Sequence, residues 1–151
     1  VGTTHTKSKS NNSKAVTEWR IRELERTRQI CGQLIQAGPA KKLIILGDFN
    51  DDFGMDSFEQ SLNADAVETM LKGTGEEKLI GLDEKIWKTD PDAASYHCEI
   101  KPKRFRSFLD HAFASPEMAA SLKNITLIKE SIAYAASDHL PLLCIFDLPA
   151  Q

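Results

Sequence analysis

A long helix is the first element that the hydrophobic pattern predicts. From about Ala15 to Ala37, apolar and small side chains recur at helical spacing with charged residues between them, which is typical of a helix with one face in the core. The positions on this face are Leu24, Thr27, Cys31, Leu34 and Ile35. Gly38-Pro39 predicts the end of the helix, since Gly tolerates a left-handed conformation and Pro cannot continue the hydrogen bonding.

Short apolar runs along the rest of the chain predict strands. The clearest is Leu43 to Leu46, a continuous run that is typical of a strand covered on both faces. β-Branched or alternating residues predict further strands at Val1 to His5, Leu79 to Leu82, Ser95 to Cys98, Ser107 to Phe113, Ile125 to Lys129 and Leu142 to Phe146. Because helix and strand patterns alternate, the predicted fold class is α/β or mixed α+β.

Polar and turn-forming residues mark the segments between these strands. Asp56 is suited to cap a short helix around Phe58, and Pro116 stands where proline is tolerated at the start of another. Asp90-Pro91-Asp92 predicts a turn. The remainder of Lys72 to Arg106 has no clear periodicity and is hard to assign.

Length, charge and cysteine content narrow the class of protein. The 151 residues suit one domain, and no apolar run approaches the ~20 residues that span a bilayer. The net charge of −3 argues against a protein held to nucleic acid by its global field, although a local basic patch is compatible with it. The three cysteines are widely spaced and form no CxxC pair, which favours a reduced protein and slightly favours the cytoplasm. A leader segment before Val1 stays open.

Side chains suited to chemistry fall at the ends of predicted strands. They are His5, Asp48, Asp110 and the pair Asp138-His139. Loops at the ends of strands can converge on one pocket because the sheet holds them rigidly. We therefore expect these residues to share a cleft.

The segment Gly47-Asp48-Phe49-Asn50-Asp51 follows the buried apolar run directly. Asp48 can accept a proton from water or bind a hard cation. Asn50 can donate to a phosphate oxygen while its carbonyl faces a metal. A plain Asx-rich turn is the competing interpretation of the same residues.

A second candidate group comprises Asp110 and the segment Ser137 to Pro141. Asp138 beside His139 places a metal ligand next to a general base, although such a pair is often only a capped turn. Asp110 lies in an otherwise apolar run and needs a partner there. His139 is the predicted partner, because a carboxylate on one ring nitrogen fixes the tautomer and raises the basicity of the other. His111 is expected to face the other side of the strand and to be structural.

Four segments in this order, TTHTKS, GDFND, SFLDHAFAS and SDHLPL, resemble the endonuclease/exonuclease/phosphatase superfamily, whose fold is that of pancreatic deoxyribonuclease. The resemblance implies a four-layer αββα sandwich, a divalent cation, usually Mg²⁺ or Mn²⁺, and in-line attack of water on a phosphoester. It would make His5 a contact to the phosphate or leaving group, with Asp48 orienting water or binding metal. The roles implied for the others are phosphate or metal contact for Asn50, orientation of His139 for Asp110, metal binding for Asp138, and base or transition-state stabiliser for His139.

The resemblance covers only the carboxyl-terminal half of such a domain. In the family, an Asn and a metal-binding Glu come from strands that precede the position of Val1. We therefore expect residues 1–151 to be a single partial domain whose partner is its own amino-terminal half. Without that half, exposed sheet edges and a missing metal ligand predict that this chain alone is poorly active or inactive.

A basic segment, residues 101–106, precedes the Asp110 strand. Lys103, Arg104 and Arg106, together with Lys101, flank Phe105, a combination that can grip a phosphate chain and stack on a base. A solvated loop is the competing interpretation. Phosphodiester hydrolysis, with nucleic acid as the first candidate substrate, is thus the leading prediction; lipid or inositol phosphates are the alternative, and an inactive fragment is the non-enzymatic one.

Overall fold

The computed structural model describes residues 1–8, 12–38, 41–73, 78–90 and 92–148. The strands are β1 Gly2–His5, β2 Ile44–Asp48, β3 Ile80–Gly81, β4 Tyr96–Ile100, β5 Lys103–Ser107, β6 Asp110–Ala114, β7 Leu122–Leu127 and β8 Leu142–Phe146. The helices are α1 Lys14–Gln36, α2 Ser57–Leu62, α3 Glu84–Thr89, α4 Pro116–Ala119 and α5 Ser131–Ala136, with a 3₁₀ helix at Glu68–Leu71.

The main sheet has four strands in the order β1-β2-β6-β3. β1 runs parallel to β2, with His5 opposite Asp48, and β6 runs antiparallel to β2, with Asp48 opposite Asp110. The carboxyl ends of β1 and β2 and the start of β6 therefore meet at one edge of the sheet. The buried run predicted at residues 43–46 is the centre of this sheet.

Alternation along β2 explains how the sheet is covered on both faces. Ile45 belongs to one apolar cluster with Phe113 and Leu24, which lies under α1 and the 3₁₀ helix. Ile44 belongs to a second cluster, against which residues of the β7-β8 hairpin pack, among them Ile125. The described residues thus form three layers, helix, sheet and hairpin, which is the arrangement expected of part of an αββα sandwich.

The start of α1 is capped as its sequence allows, but the residues on its buried face differ in part from those predicted. The Ser13 side chain accepts a hydrogen bond from the Val16 amide and satisfies a free N–H of the first turn. Leu34, predicted on the core face, is 42% exposed. The buried positions of α1 are Thr17, Arg20, Leu24, Cys31, Gly32 and Ile35.

The predicted cap at Asp56 is confirmed. Its carboxylate accepts from the amides of Phe58 and Glu59, and the Glu59 side chain accepts from the Asp56 amide. This reciprocal arrangement is a capping box.

The strand predicted from Ser107 to Phe113 is wrong as one element. β5 ends at Ser107 and β6 begins at Asp110, because side chains take up the backbone N–H groups between them. The Phe108 amide donates to Asp52 Oδ1 at 2.6 Å, and Ser95 Oγ accepts from the next two amides at 2.9 Å each. The chain therefore changes direction just before Asp110.

The unassigned region contains helix α3 and the hairpin β4-β5. Lys103, Arg104 and Arg106 of the basic segment therefore lie on a strand paired antiparallel with β4, and residues 101–102 form the turn between the two strands. The predicted turn at residues 90–92 includes position 91, which lies outside the described residues.

The last strand, β8, pairs with β7. Its side chains Leu142, Cys144 and Phe146 turn to the core cluster, whereas Leu143 and Ile145 are 43% and 42% exposed. Among the described residues, no helix is long and apolar enough to cross a membrane.

Candidate active site

The edge where β1, β2 and β6 meet holds the predicted site residues. His5 ends β1, Asp48 ends β2 and Asp110 begins β6, so the pairing of the strands alone sets three of them side by side. Gly47 allows this close approach: a Cβ at this position, where φ is +153°, would overlap the carbonyl oxygen of Thr4. The loop after α5 brings His139 over the same edge, where it forms an isolated bridge with Tyr96.

His139 is hydrogen bonded to Asp110, as predicted. The distance from Nδ1 to Oδ2 is 2.8 Å, and both side chains are only partly buried. Burial of the ring lowers the pKa of His139, but the Asp110 hydrogen bond and the charges of Asp110, Asp48 and Asp138 outweigh it, and the pKa is raised above its usual value. The carboxylate therefore orients the ring with Nδ1 towards Asp110 and leaves Nε2 facing the cleft.

Asp48 lies at the centre of the cleft. Its Oδ2 atom is 3.5 Å from His5 Nε2 and 4.0 Å from His139 Nε2. The same oxygen accepts a hydrogen bond from Asn50 Nδ2 at 3.0 Å, while Oδ1 accepts from the Asn50 backbone amide at 2.8 Å. The predicted convergence of these groups is thus confirmed, with the His5 side chain, 75% exposed, at the rim.

Asn50 is held in an unusual backbone conformation. Its φ is +51°, in the left-handed region that Asn adopts more readily than most residues, and it is 7% exposed. Its Nδ2 donates to the Thr6 carbonyl and to Asp48, both at 3.0 Å. Both amide hydrogens are thus used within the protein, so the predicted donation to a phosphate requires one of them to be released. Its role as a ligand stays a prediction.

Asp138 is exposed beside His139. Its backbone carbonyl accepts from the His97 amide at 2.7 Å, and its charge contributes to the raised pKa of His139. Among the residues that the structure describes, no group of three or more His, Cys, Asp or Glu side chains is placed to hold a metal. Asp48, Asp138 and the Asn50 carbonyl are oxygen donors of the kind that Mg²⁺ prefers in proteins, and metal binding by them stays a prediction.

The hairpin β4-β5 is anchored at this cleft by Tyr96. The centroids of the Tyr96 and His139 rings are 5.0 Å apart. A hydrogen bond with the Cys98 thiol and, to a smaller extent, burial raise the pKa of Tyr96 to about 12. Lys103, Arg104 and Arg106 extend from it along β5, where Arg106 donates to the Asp92 carbonyl at 2.7 Å and Arg104 lies 3.7 Å from Glu99. The basic residues therefore lie along the hairpin β4-β5, which begins at the site with Tyr96; we call this hairpin the arm.

Several residues of the site were not predicted. Tyr96 and Ser95 lie in the stretch that was hard to assign, and Asp52 was not distinguished from its acidic neighbours. The adjacent carboxylates of Asp51 and Asp52 could have indicated this role, because both lie within two positions of Asn50 and need partners if the loop is buried.

Three solved structures are similar to this chain. The 3'-5' exonuclease NExo from Neisseria meningitidis has a TM-score of 0.59 at 20% identity, covering 95% of this chain and 59% of that one. TDP2 of D. rerio, complexed with single-strand DNA product, has a TM-score of 0.57 at 18% identity, covering 97% and 55%. The endonuclease domain of TRAS1, a telomere-specific non-LTR retrotransposon, has a TM-score of 0.57 at 19% identity, covering 84% and 53%.

These likenesses establish the fold of the chain. It is the α/β fold of these three structures, in agreement with the predicted fold class. The chain spans between 53% and 59% of the length of the three structures. No family model matches the sequence, and no curated protein matches it.

Proposed function

We propose that the protein carrying this chain is a divalent-metal-dependent hydrolase of phosphoester bonds, with nucleic acid as its first candidate substrate. The observation that carries the proposal is the hydrogen-bonded pair Asp110 and His139, with Asp48 4.0 Å from the free ring nitrogen, at one edge of a sheet of this fold. The similar structures support it, since two are named as an exonuclease and an endonuclease and one holds single-strand DNA product.

The side chains divide the work of hydrolysis by their positions. Asp110 orients His139, so that Nε2 faces the reacting phosphate either to accept a proton or, as the imidazolium, to stabilise developing charge. Asp48, oriented by Asn50, accepts a proton from the attacking water or contributes to the metal site. His5, at the rim, contacts the phosphate or the leaving group.

A divalent cation completes the proposed site. Asp138, Asp48 and the Asn50 carbonyl would hold Mg²⁺ or Mn²⁺, and such a cation offsets the negative charge of the transition state when bound. Hard oxygen donors dominate this set, which favours these cations over zinc. Because the chain spans only 53% to 59% of the similar structures, we propose that residues outside it complete the site and that this chain on its own turns over slowly.

The hairpin distinguishes the candidate substrates. Cross-strand pairing sets Phe105 opposite Cys98, on the same side of the hairpin as Tyr96, while Arg104 and Arg106 alternate with them on the other side. Phe105 is 45% exposed, so a base could stack on it while Lys103 contacts the backbone phosphates. An extended single strand would use the whole arm, whereas an inositol phosphate is too short to do so.

The test is a substrate panel run on the longest form of the protein that carries this chain. A labelled single-strand oligonucleotide, an inositol phosphate and bis-nitrophenyl phosphate are assayed in Mg²⁺, in Mn²⁺ and in excess chelator. We expect oligonucleotide cleavage that chelator abolishes. Asp138→Asn should raise the Mg²⁺ concentration needed for half-maximal rate more than it raises KM, with the exposed Asp147→Asn as the matched control. Full activity in chelator would contradict the metal proposal, and a preference for the inositol phosphate would contradict the substrate.

A further inference from the structure

A second histidine lies beside the site but faces away from the cleft. His111 follows Asp110 in β6 and is fully buried. Its ring is surrounded by aromatic rings, with centroid distances of 4.9 Å to Phe53, 5.4 Å to Phe108 and 5.6 Å to Phe49. None of the proposed chemistry uses this residue.

Both ring nitrogens of His111 have acceptor partners. Nδ1 lies 2.8 Å from Asp83 Oδ2, and Nε2 lies 2.9 Å from the backbone carbonyl oxygen of Asp51. A neutral imidazole has one N–H donor, so two such contacts need a second proton. The other carboxylate oxygen of Asp83 accepts from the Ala112 amide at 2.8 Å, which stabilises the ionised form of Asp83 and places the proton on the ring.

The charged groups around His111 favour a protonated, positively charged ring. Asp83 faces it from the turn before α3, and Asp51 and Asp52 face it from the loop after β2. The Asp51 carboxylate is itself paired with buried Arg20 of α1, with Oδ2 2.6 Å from Nε. Burial lowers the pKa of His111, but the hydrogen bond and charge of Asp83 outweigh it, and the pKa is raised. With a protonated ring, the interior contains two ion pairs, His111 with Asp83 and Arg20 with Asp51. With a neutral ring, the Asp83 carboxylate would lack the opposite charge of His111.

These contacts hold the loop that carries the catalytic side chains. The Asp51 peptide follows Asn50, whose left-handed backbone aligns it with Asp48. His111 holds the carbonyl of Asp51 and Arg20 holds its carboxylate. The loop is therefore fixed from two sides at the residue next to Asn50.

We propose that His111 is a positioning residue: a buried imidazolium, clamped between the Asp83 carboxylate and the Asp51 carbonyl, that sets the geometry of Asn50 and Asp48. The positioning role rests on the proposed function. The protonation and the loop geometry do not, and they are tested without any activity.

The first experiment is a ¹⁵N NMR measurement of the histidine rings at pH 7.5, above the ordinary pKa of histidine. We expect both ring nitrogens of His111 to be protonated, each hydrogen bonded and slow to exchange with water. A neutral His111 ring at this pH would overturn the proposal. The wild-type chain suffices, so the result does not depend on a variant that folds.

The second experiment measures amide hydrogen exchange at Asn50, whose N–H donates to Asp48. His111→Phe keeps the apolar packing but removes both polar contacts, and we expect exchange at Asn50 to become at least tenfold faster while Ile125 of β7 is unchanged. His111→Gln keeps one donor and should fall between, and it serves if the Phe variant does not fold. Unchanged exchange at Asn50 in a folded variant would overturn the positioning role.

Asp83→Asn separates the charge from the geometry. The Asn carbonyl can accept from Ala112 and its amide can donate to a neutral ring, so every hydrogen bond can be kept without an ion pair. We expect this variant to retain Asn50 protection within about threefold, at neutral pH. If activity is present, His111→Phe should lower kcat more than it raises KM; if no activity is found on any substrate, the proposed function fails while the NMR and exchange results still decide the role of His111.

Discussion

Two neighbouring residues of β6 take part in two His–Asp pairs with opposite environments. Asp110 pairs with His139 and His111 pairs with Asp83, in both cases with 2.8 Å between nitrogen and oxygen. The first pair has side chains 30% and 20% exposed, and the far nitrogen of its ring faces the cleft. The second pair is fully buried, and the far nitrogen of its ring is bonded to a backbone carbonyl. Under the proposed function, the Asp110–His139 pair is the reactive one and the His111–Asp83 pair is structural, and the two differ in what the second ring nitrogen contacts.

Removing His139 from the reactive pair should have the largest effect. For His139→Gln we expect hydrolysis to fall by about 10²- to 10⁴-fold, because general acid–base or charge stabilisation by a positioned side chain contributes about this much. Stability should change little, since the ring is partly exposed. The measurement is kcat on the oligonucleotide substrate, with thermal unfolding as the control.

Removing His111 should mainly reduce the stability of the protein. In His111→Ala the Asp83 carboxylate is left buried without its partner, and breaking such a pair costs about 3–5 kcal/mol of unfolding free energy. Urea unfolding followed by fluorescence measures this loss. A destabilisation of less than about 1 kcal/mol would show that the buried pair is not ionised as the contacts indicate.

The pH dependence of stability should also distinguish the buried pair. The pKa of His111 is raised in the folded protein above its unfolded value near 6.5. The stabilisation is therefore fully present below about pH 6.5 and is lost as the pH rises through the folded pKa, with about 1.4 kcal/mol for each unit of separation. Unfolding free energies between pH 6 and pH 9 should decline in the wild type and decline less in Asp83→Asn. Equal slopes would contradict the assignment.

The smallest expected effect is on oligonucleotide binding by the basic residues of the hairpin β4-β5. Replacing Lys103 and Arg104 together by Ala should weaken binding of a single-strand oligonucleotide. It should also reduce the slope of log K against log salt by about 0.7 for each phosphate that these side chains neutralise in the wild type. Lys123→Ala on β7, also exposed, is the matched control. If both variants bind with the same slope, the arm does not bind the phosphate backbone.

The sequence predicted the reactive pair because its elements carry strong local signals. A continuous apolar run ending in Gly47-Asp48 defines the central strand, and a carboxylate at Asp110 in an apolar segment needs a partner. Pairing of β1, β2 and β6 then sets His5, Asp48 and Asp110 side by side, and the loop after α5 adds His139.

The structural pair and the hairpin could not be predicted in the same way. Asp83 lies 28 residues before His111, in a region without clear periodicity, and only the folded chain brings them together. β5 is exposed on both faces along Lys103 to Arg106, so it lacks the alternation that identifies a strand. The break between β5 and β6 depends on Ser95 and Asp52. Their side chains accept hydrogen bonds from backbone amides that would otherwise be available for strand pairing.

Substituting the two carboxylates in parallel separates the reactive pair from the structural one. Asp110→Asn and Asp83→Asn make the same chemical change in the two pairs, and phosphodiester hydrolysis in Mg²⁺ is measured for both on the longest form of the protein that carries this chain. Because an Asn at position 110 carries no charge to stabilise the His139 imidazolium and can also hold the ring in the other tautomer, we expect its rate to fall at least about 100-fold, within the range of acid–base contributions. The Asp83→Asn rate should stay within about threefold of the wild type, since every hydrogen bond around His111 can be kept. Equal losses in the two variants, or retained activity in Asp110→Asn, would contradict the assignment of the reactive pair.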